Sequence, residues 1–461
     1  TPCGTLFPYT TLFRSLGHQG YTGDLNRQCV TIAEALKGTE YTSYMTGKWH
    51  LTHDDYQTPD APNHNWPVQR GFDRFFGHLT GGGGYYKTKS LLTNNEMIPP
   101  PEGFYLTQAV SDSTVNIIKQ HFDKQKDKPF FFYVAYYAPH RPLHALKEDV
   151  DRFRGQYMKG WDQIRQERFE RMKEIGLSEE SWKLSDRHPR VSAWEDIPDD
   201  KKNVWDARMA AYAAQVYRMD VGIGKIIDVL KEYDEFENTI MVFLSDNGGC
   251  AEKQGGELTL KELDKLGQNE PMQSYRINWA NASNTPFRWF KKNEYEGGNA
   301  TPFIVHWPNG LGTAARINKE QVGHVIDIMP TFLEIAGAEY PTQFQGNDIH
   351  PVQGKSLLPS FKNKSFDRGP LFFEHQANRA VRSGNWKLVA NAAPKPPYKG
   401  EWELYNLAED RSETNNLANQ FPDKVEELAK MWDNWAQKNN VYPLDARGWN
   451  TRIADDHNKQ K

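Results

Sequence analysis

The 461-residue chain predicts an α/β fold, a doubly wound mixed sheet flanked by helices, followed by a smaller C-terminal α+β domain of antiparallel sheet plus helix. Three observations predict it. From Leu16 onward, short β-branched or aromatic runs alternate with segments of helical periodicity. Several of the strand-like runs stop abruptly at glycine and polar residues, as strands of an open α/β sheet do where they leave it. Beyond about Gly369 the pattern changes to short strands separated by turns, which reads as antiparallel.

Taken in order, residues 30–36 predict a short helix and residues 41–46 a strand. Residues 130–138 form a continuous apolar run, the mark of a strand buried on both faces, and it ends at Pro139 and His140. The stretch 147–202 is charged and dotted with tryptophan, and reads as a surface insertion that shapes a pocket for a larger substrate. Met209, Tyr212, Ala213, Val216, Met219, Ile223, Ile226, Ile227 and Leu230 recur at helical spacing and predict a core-facing helix. Aliphatic strands follow at 240–244 and 302–307. In the C-terminal part, strands are expected at 371–374, 379–382 and 386–389. Pro422 then opens an amphipathic helix with Val425, Leu428, Met431, Trp432 and Trp435 on one face. The expected division is a catalytic domain at 16–369 and a second domain at 370–461.

Residues 1–15 are set apart, because 5–15 are the translation of a widely used sequencing-adapter oligonucleotide. They read as an adapter-derived artefact, so the lack of a leader here carries no information about localisation. With 56 Lys and Arg against 60 Asp and Glu, the net charge of −4 has no clustered basic excess and argues against a nucleic-acid partner. The longest apolar run, 129–139, is too short for a membrane span. Cys3, Cys29 and Cys250 are too few for a disulfide framework and too scattered for a thiolate zinc site.

Chemistry is expected where strands end. Thr46-Gly47-Lys48-Trp49-His50 presents an ammonium and an imidazole beside a glycine turn. Ala138-Pro139-His140-Arg141-Pro142 holds a histidine between prolines just past a buried strand. Ser245-Asp246-Asn247-Gly248-Gly249 offers hard oxygen donors suited to Ca2+ or Mg2+, with glycines that permit close approach. A fourth segment, from Asn284 through Pro286, Phe287, Arg288 and Lys291 to Glu296-Gly297-Gly298, adds a lysine before a glycine turn. Cations, histidines and a metal converging on one site would neutralise a tetrahedral oxyanion ester, a sulfate or a phosphate. The glycine-rich stretch Gly81 to Tyr86 reads as a loop with aromatic contacts at the mouth of such a site.

Those four motifs in that order resemble formylglycine-dependent sulfatases of the arylsulfatase type, in the alkaline-phosphatase-like superfamily. The resemblance continues through His324 to Thr331 and Leu404-Tyr405-Asn406-Leu407. It implies a sulfuric ester hydrolase acting on sulfate esters of aryl or carbohydrate substrates, a sulfated small molecule or a sulfated glycan. Asp246 and Asn247 would be two ligands of a divalent metal, Ca2+ with Mg2+ as the lesser alternative. Lys48 and Lys291 would hold the sulfate oxygens. His140 would donate to the leaving oxygen or contact the sulfate, and His50 would deprotonate the covalent intermediate. The family also implies maturation by a formylglycine-generating or anaerobic sulfatase-maturating enzyme, and a periplasmic or secreted location.

Two family features do not occur in the chain. An early strand ending in paired aspartates is absent, and so is Cys or Ser followed by x-Pro-x-Arg, the precursor of formylglycine. Cys29 is followed by Val30-Thr31-Ile32-Ala33 and does not match it. The expectation is therefore an N-terminally truncated sulfatase without a nucleophile, inactive as given, whose sheet exposes an edge and aggregates. Its alternatives are a phosphodiesterase or phosphonate hydrolase of the same superfamily and a non-catalytic relative that binds sulfated glycans.

Overall fold

The computed structural model describes residues 24–311, 317–319 and 321–448. The segment 1–15, with Cys3, lies outside the described residues. In chain order the elements are α1 (Ile32–Ala35), β1 (Thr42–Lys48), β2 (Arg74–His78), β3 (Leu91–Thr93), β4 (Glu96–Met97), α2 (Leu106–Gln125) and β5 (Phe130–Ala135). Then come α3 (Lys147–Phe153), α4 (Gly160–Glu174), α5 (Asp199–Glu232), β6 (Met241–Leu244), α6 (Arg276–Ser283), α7 (Glu296–Asn299), β7 (Phe303–His306) and α8 (Pro308–Leu311). The remainder holds α9 (Ile328–Ala336), β8 (Gln343–Phe344), β9 (Asn347–Asp348) and α10 (Leu358–Phe361). It ends with β10 (Leu371–His375), β11 (Asn378–Ser383), β12 (Trp386–Ala390), β13 (Glu403–Asn406) and α11 (Pro422–Lys438).

The central sheet runs β4-β3-β2-β1-β5. Strand β1 is parallel to both β2 and β5, and β3 joins β2 and β4 antiparallel, so the sheet is mixed. On one face Met45, Phe75 and Phe131 pack against Ile32 of α1 and Ile328, Met329 and Leu333 of α9. The other face meets α2 and α5 through Ile118, Phe122, Ile226 and Leu230, each such side chain adding roughly 1.5–3 kcal/mol by its burial. Helix α2 also reaches the sheet by hydrogen bonds, Thr114 to Thr46 at 2.7 Å and His121 to the Tyr44 hydroxyl at 3.0 Å. At the end of β1, Gly47 has φ 101°, and a Cβ there would lie 2.0 Å from the Ala135 carbonyl oxygen. Only glycine lets the strand pass β5 so closely just before Lys48.

Strand β6 lies in the same layer as β5. Val242 and Leu244 pack on the α1/α9 side with Phe131 and Tyr133, and Met241 packs on the α2/α5 side with Phe130 and Phe132. Among the described residues, however, β6 pairs only with β7, antiparallel, and β5 pairs only with β1. The sheet is therefore split between two strands that share both helical layers. Near the split, Phe243, Phe303 and Ile304 are exposed.

The tryptophan-rich stretch is a helical lobe with a core of its own. Trp161 is fully buried, with Trp194, Trp205 of α5 and Trp279 of α6 packed edge-on around it, so these rings serve interior packing. At the other end, β10 to β13 form a four-stranded antiparallel sheet. Helix α11 covers one face with Leu428, Trp432 and Ala436 against Val381, Leu388 and Leu404, and Val425, Met431 and Trp435 pack at the margin. The opposite face buries Phe373, Val389 and Tyr405 against Tyr295, just before α7. Cys29 is buried with its Sγ 3.4 Å from the Asn26 carbonyl, Cys250 is half-buried, and no described helix is long and apolar enough to cross a membrane.

Candidate active site

Four loops meet at the ends of β1, β5 and β6. Lys48 closes β1 opposite His78 of β2, and its Nζ lies 5.5 Å from the ring centroid of Tyr137, just past β5. The Tyr137 ring packs edge-on against His78 and tilted against His140. His140 Nδ1 lies 2.7 Å from the Arg141 carbonyl oxygen, and since a carbonyl can only accept, Nδ1 carries the proton. That leaves Nε2 as the ring nitrogen able to accept or relay a proton. The loop after β6 reaches Lys291 directly, because the Lys291 amide donates to the Gly249 carbonyl at 3.1 Å. Gly248 packs so closely on Gly297 that a Cβ would lie 1.8 Å from its carbonyl oxygen. His50 is buried at φ 59°, its amide donating to Leu79, and a Cβ on Gly81 would lie 1.7 Å from its Nε2.

Electrostatics tie these groups together. Burial pushes His140 well below the ordinary imidazole range, and the charges of Lys291 and Lys48 push it further in the same direction. His78 is held down to about 3, by burial first and then by Lys48. Both rings are neutral while the two lysines face them. An anion placed between Lys48 and Lys291 removes that repulsion, so protonation of His140 is favoured when an oxyanion is present.

Asp246 is exposed at the end of β6, and its charge reaches Tyr133 of β5, where it adds to the upward push of burial. Asn247 donates its amide nitrogen to the Gly248 carbonyl at 2.9 Å, which leaves Oδ1 to accept or to ligate. Carboxylate and amide oxygens are the donors a hard cation takes, but Ca2+ requires six to eight of them. No group of three or more His, Cys, Asp or Glu able to hold a metal occurs among the described residues. The described residues thus fit the chemistry of a Ca2+ or Mg2+ site without completing its ligand set.

The structure therefore brings Lys48, His140 and Lys291 together, with His50 beside Lys48 in the chain and Asp246 and Asn247 on the loop that Lys291 bonds. Sequence reasoning missed Tyr137, His78 and Glu252. Tyr137 sits at the end of an apolar run that reads as core, and Glu252 is one acid in a polar loop, so neither sends a signal beyond its neighbours. The stretch Gly81 to Tyr86 departs from expectation. Tyr85 is fully buried, stacks on Tyr105 and donates its hydroxyl to the His140 carbonyl at 2.7 Å, Tyr86 packs on the Tyr105 ring, and Gly81 leaves room for His50, so the loop supports the site from beneath. The segment His324 to Thr331 is structural, since buried Asp327 accepts from the amides of His324 and Lys355 and pairs with Arg368.

Comparison with known proteins identifies the family. The Sulfatase family model matches residues 7–338, and a model described as N-sulphoglucosamine sulphohydrolase, C-terminal, matches residues 286–440. An uncharacterized sulfatase of Schizosaccharomyces pombe is 32% identical over 451 residues, 90% of this chain and 78% of that protein. The arylsulfatase of Klebsiella aerogenes is 29% identical over 364 residues, covering 74% of this chain and 75% of the enzyme. Among solved structures, Ps i-CgsB superposes with a TM-score of 0.62 at 23% identity, covering 96% of this chain and 81% of that one. BT4656, solved with its substrate D-glucosamine-2-N,6-O-disulfate, gives 0.58 at 19% identity, covering 97% and 92%. With its strand-end cations, its mixed sheet and its antiparallel C-terminal sheet, the chain belongs to the sulfatase family.

Proposed function

We propose that this chain carries the anion-holding part of a sulfate ester hydrolase, and that a formylglycine nucleophile and further metal ligands come from sequence not present in these residues. The observation that carries the reading is the convergence of Lys48, Lys291 and His140, three groups whose charges act on one another at the ends of β1, β5 and the loop joined to β6. Lys48 and Lys291 hold the sulfate oxygens and offset the charge that grows on them as the ester bond breaks. His140, oriented through Nδ1 by the Arg141 carbonyl, takes up a proton as the anion binds and delivers it from Nε2 to the leaving oxygen. His50 acts as the base on the nucleophile side. Asp246 and Asn247 contribute to a Ca2+ site, with Mg2+ second, whose role is to polarise the sulfate.

Two observations support incompleteness. No Cys or Ser followed by x-Pro-x-Arg occurs in the sequence, and the split between β5 and β6 lies beside Asp246, where a further strand would join both edges. The leaving group is an aryl or carbohydrate alcohol. Carbohydrate is included because the structural neighbours named above include one holding a sulfated glucosamine. The complete protein is matured by a formylglycine-forming enzyme and works in the periplasm or outside the cell.

The test pairs the chain as given with a version whose first 15 residues are replaced by the sequence read from source DNA across that junction. The expected result is sulfate binding without turnover for the first, and hydrolysis of 4-nitrophenyl sulfate faster than 4-nitrophenyl phosphate for the second. Turnover by the chain as given sinks the incompleteness reading. Preference for the phosphate sinks the sulfatase reading in favour of a phosphoryl enzyme.

A further inference from the structure

Glu252, in the loop that leaves β6, has no role in the chemistry above. Its Oε2 accepts from Arg141 through both Nε, at 3.0 Å, and Nη2, at 2.8 Å, and its Oε1 pairs with Lys292 Nζ. Arg141 follows His140 in the chain, and Lys292 follows Lys291. One carboxylate thus joins the His140 loop and the Lys291 loop to the loop that carries Asp246 and Asn247. The anchor is itself fixed, because the Glu252 carbonyl accepts from Ser274 Oγ at 2.8 Å, and that hydroxyl accepts from the Gln254 amide at 3.0 Å.

Two further details suggest a held geometry. Lys292 sits at φ 85°, a conformation a non-glycine residue keeps only where its surroundings impose it. The Arg141 carbonyl, on the residue whose side chain Glu252 grips, is the group that orients the His140 ring. The side chains of Arg141, Glu252 and Lys292 are 33%, 29% and 33% exposed, so the trio is enclosed more than an ordinary surface pair. Burial would push the Glu252 carboxyl up, yet Lys292 and Arg141 hold it well below the usual carboxylate range, so the clamp stays charged at any working pH.

We propose that Glu252 is a positioning residue that sets the separation of His140 and Lys291 by clamping Arg141 and Lys292, without touching the anion. The proposal rests on the anion-site reading given above. Electrostatics alone predicts the opposite outcome for its removal, because deleting a negative charge beside an anion site should tighten anion binding. Positioning predicts weakening, so the sign discriminates.

The experiment is calorimetric titration of the full chain with inorganic sulfate, which needs no turnover. Glu252→Gln should weaken sulfate binding by roughly two- to a hundredfold, the span of couplings within one contact network, with the thermal midpoint held. Glu252→Asp should recover part of the loss. Adding Glu252→Gln to Arg141→Met should cost less than the two single effects combined. If Glu252→Gln lowers the thermal midpoint, Lys292→Met tests the same link from the exposed side and should weaken binding too. Sulfate binding by the parent with equal or tighter binding by Glu252→Gln, or full additivity, overturns the proposal alone. No sulfate binding by the parent overturns the anion-site reading and this proposal with it.

Discussion

Two of the charge clusters among the described residues are built in opposite ways. Where β1 and β5 end, Lys48 and Lys291 direct like charge onto His140. Between α7 and the C-terminal sheet, Lys387 is buried with its Nζ 2.9 Å from both Glu296 and Glu413, and Arg411 also pairs with Glu296. Taking a charge out of water costs several kcal/mol, and a cluster that serves only the fold offsets this by pairing every charge. By contrast, Lys48 and Lys291 act together on one buried imidazole at the strand ends, a perturbation that marks a candidate working site. The difference separates structural charge from working charge without reference to any relative.

The sharpest break of that comparison is Lys387→Met. It leaves Glu296 and Glu413 together without the ammonium between them and should cost about 3–5 kcal/mol in denaturant unfolding. Glu413 is already pushed up to about 7, mainly by burial, so the loss should be smaller at pH 6, where that carboxyl can take a proton, than at pH 8. Lys291→Ala should do the reverse. In a completed enzyme it should lower kcat by about 10²–10³, while the unfolding midpoint stays level or rises because repulsion is relieved.

Stability against pH tests both clusters at once. His78 and His144 have folded values near 3 and 4, below the ordinary 6.5, mainly because they are buried. The unfolded chain therefore takes up their protons first, and stability falls as pH drops below 6.5, by about 1.4 kcal/mol per unit for each. Glu294 and Glu413 are raised from 4.5 to about 8 and about 7, so the folded state keeps protons the unfolded chain has lost. Their contribution is lost as pH rises from 4.5 through 7 to 8. The two trends oppose each other between 4.5 and 6.5, but His140 and His324 are held low by burial as well, so stability should still rise across that window and peak near pH 6.5. A maximum above pH 8 in denaturant titrations would contradict the assignment. The smallest effect belongs to Lys147→Ala, which breaks an exposed pair with Asp151 and should change stability by less than about 0.5 kcal/mol.

The sequence made some of this legible and hid the rest for physical reasons. Strands β5, β6 and β7 and helix α5 follow from apolar runs and periodicity, although β6 and β7 are at most half-buried and Val216 of α5, expected to face the core, is exposed. Helix α2 carries only a broken stripe, Leu106, Val110, Ile117, Ile118 and Phe122 interrupted by buried polar residues. It buries Thr107, Ser111, Thr114 and His121 and meets β1 through hydroxyl and imidazole hydrogen bonds, which hydrophobic periodicity cannot register. The charged stretch 147–202 likewise conceals α3, α4 and two of the four tryptophans in a core that Trp205 of α5 and Trp279 of α6 complete. In the site, Lys48, His140 and Lys291 stand out because each follows a strand end or precedes a glycine turn. Glu252 matters only through partners 111 residues before it and 40 after it, which no local pattern connects.

The Lys387 lock also bears on how the molecule comes apart. The C-terminal sheet gives no side chain to the anion cluster, yet Glu296, five residues past Lys291, is held by Lys387 of β12 and by Arg411, and its amide donates to Glu413 at 2.7 Å. Heat or denaturant cannot peel that sheet away and leave the Lys291 loop in place. The two layers should therefore unfold in one cooperative step, and a chain clipped before β10 should bind sulfate more weakly than the full chain in calorimetric titration.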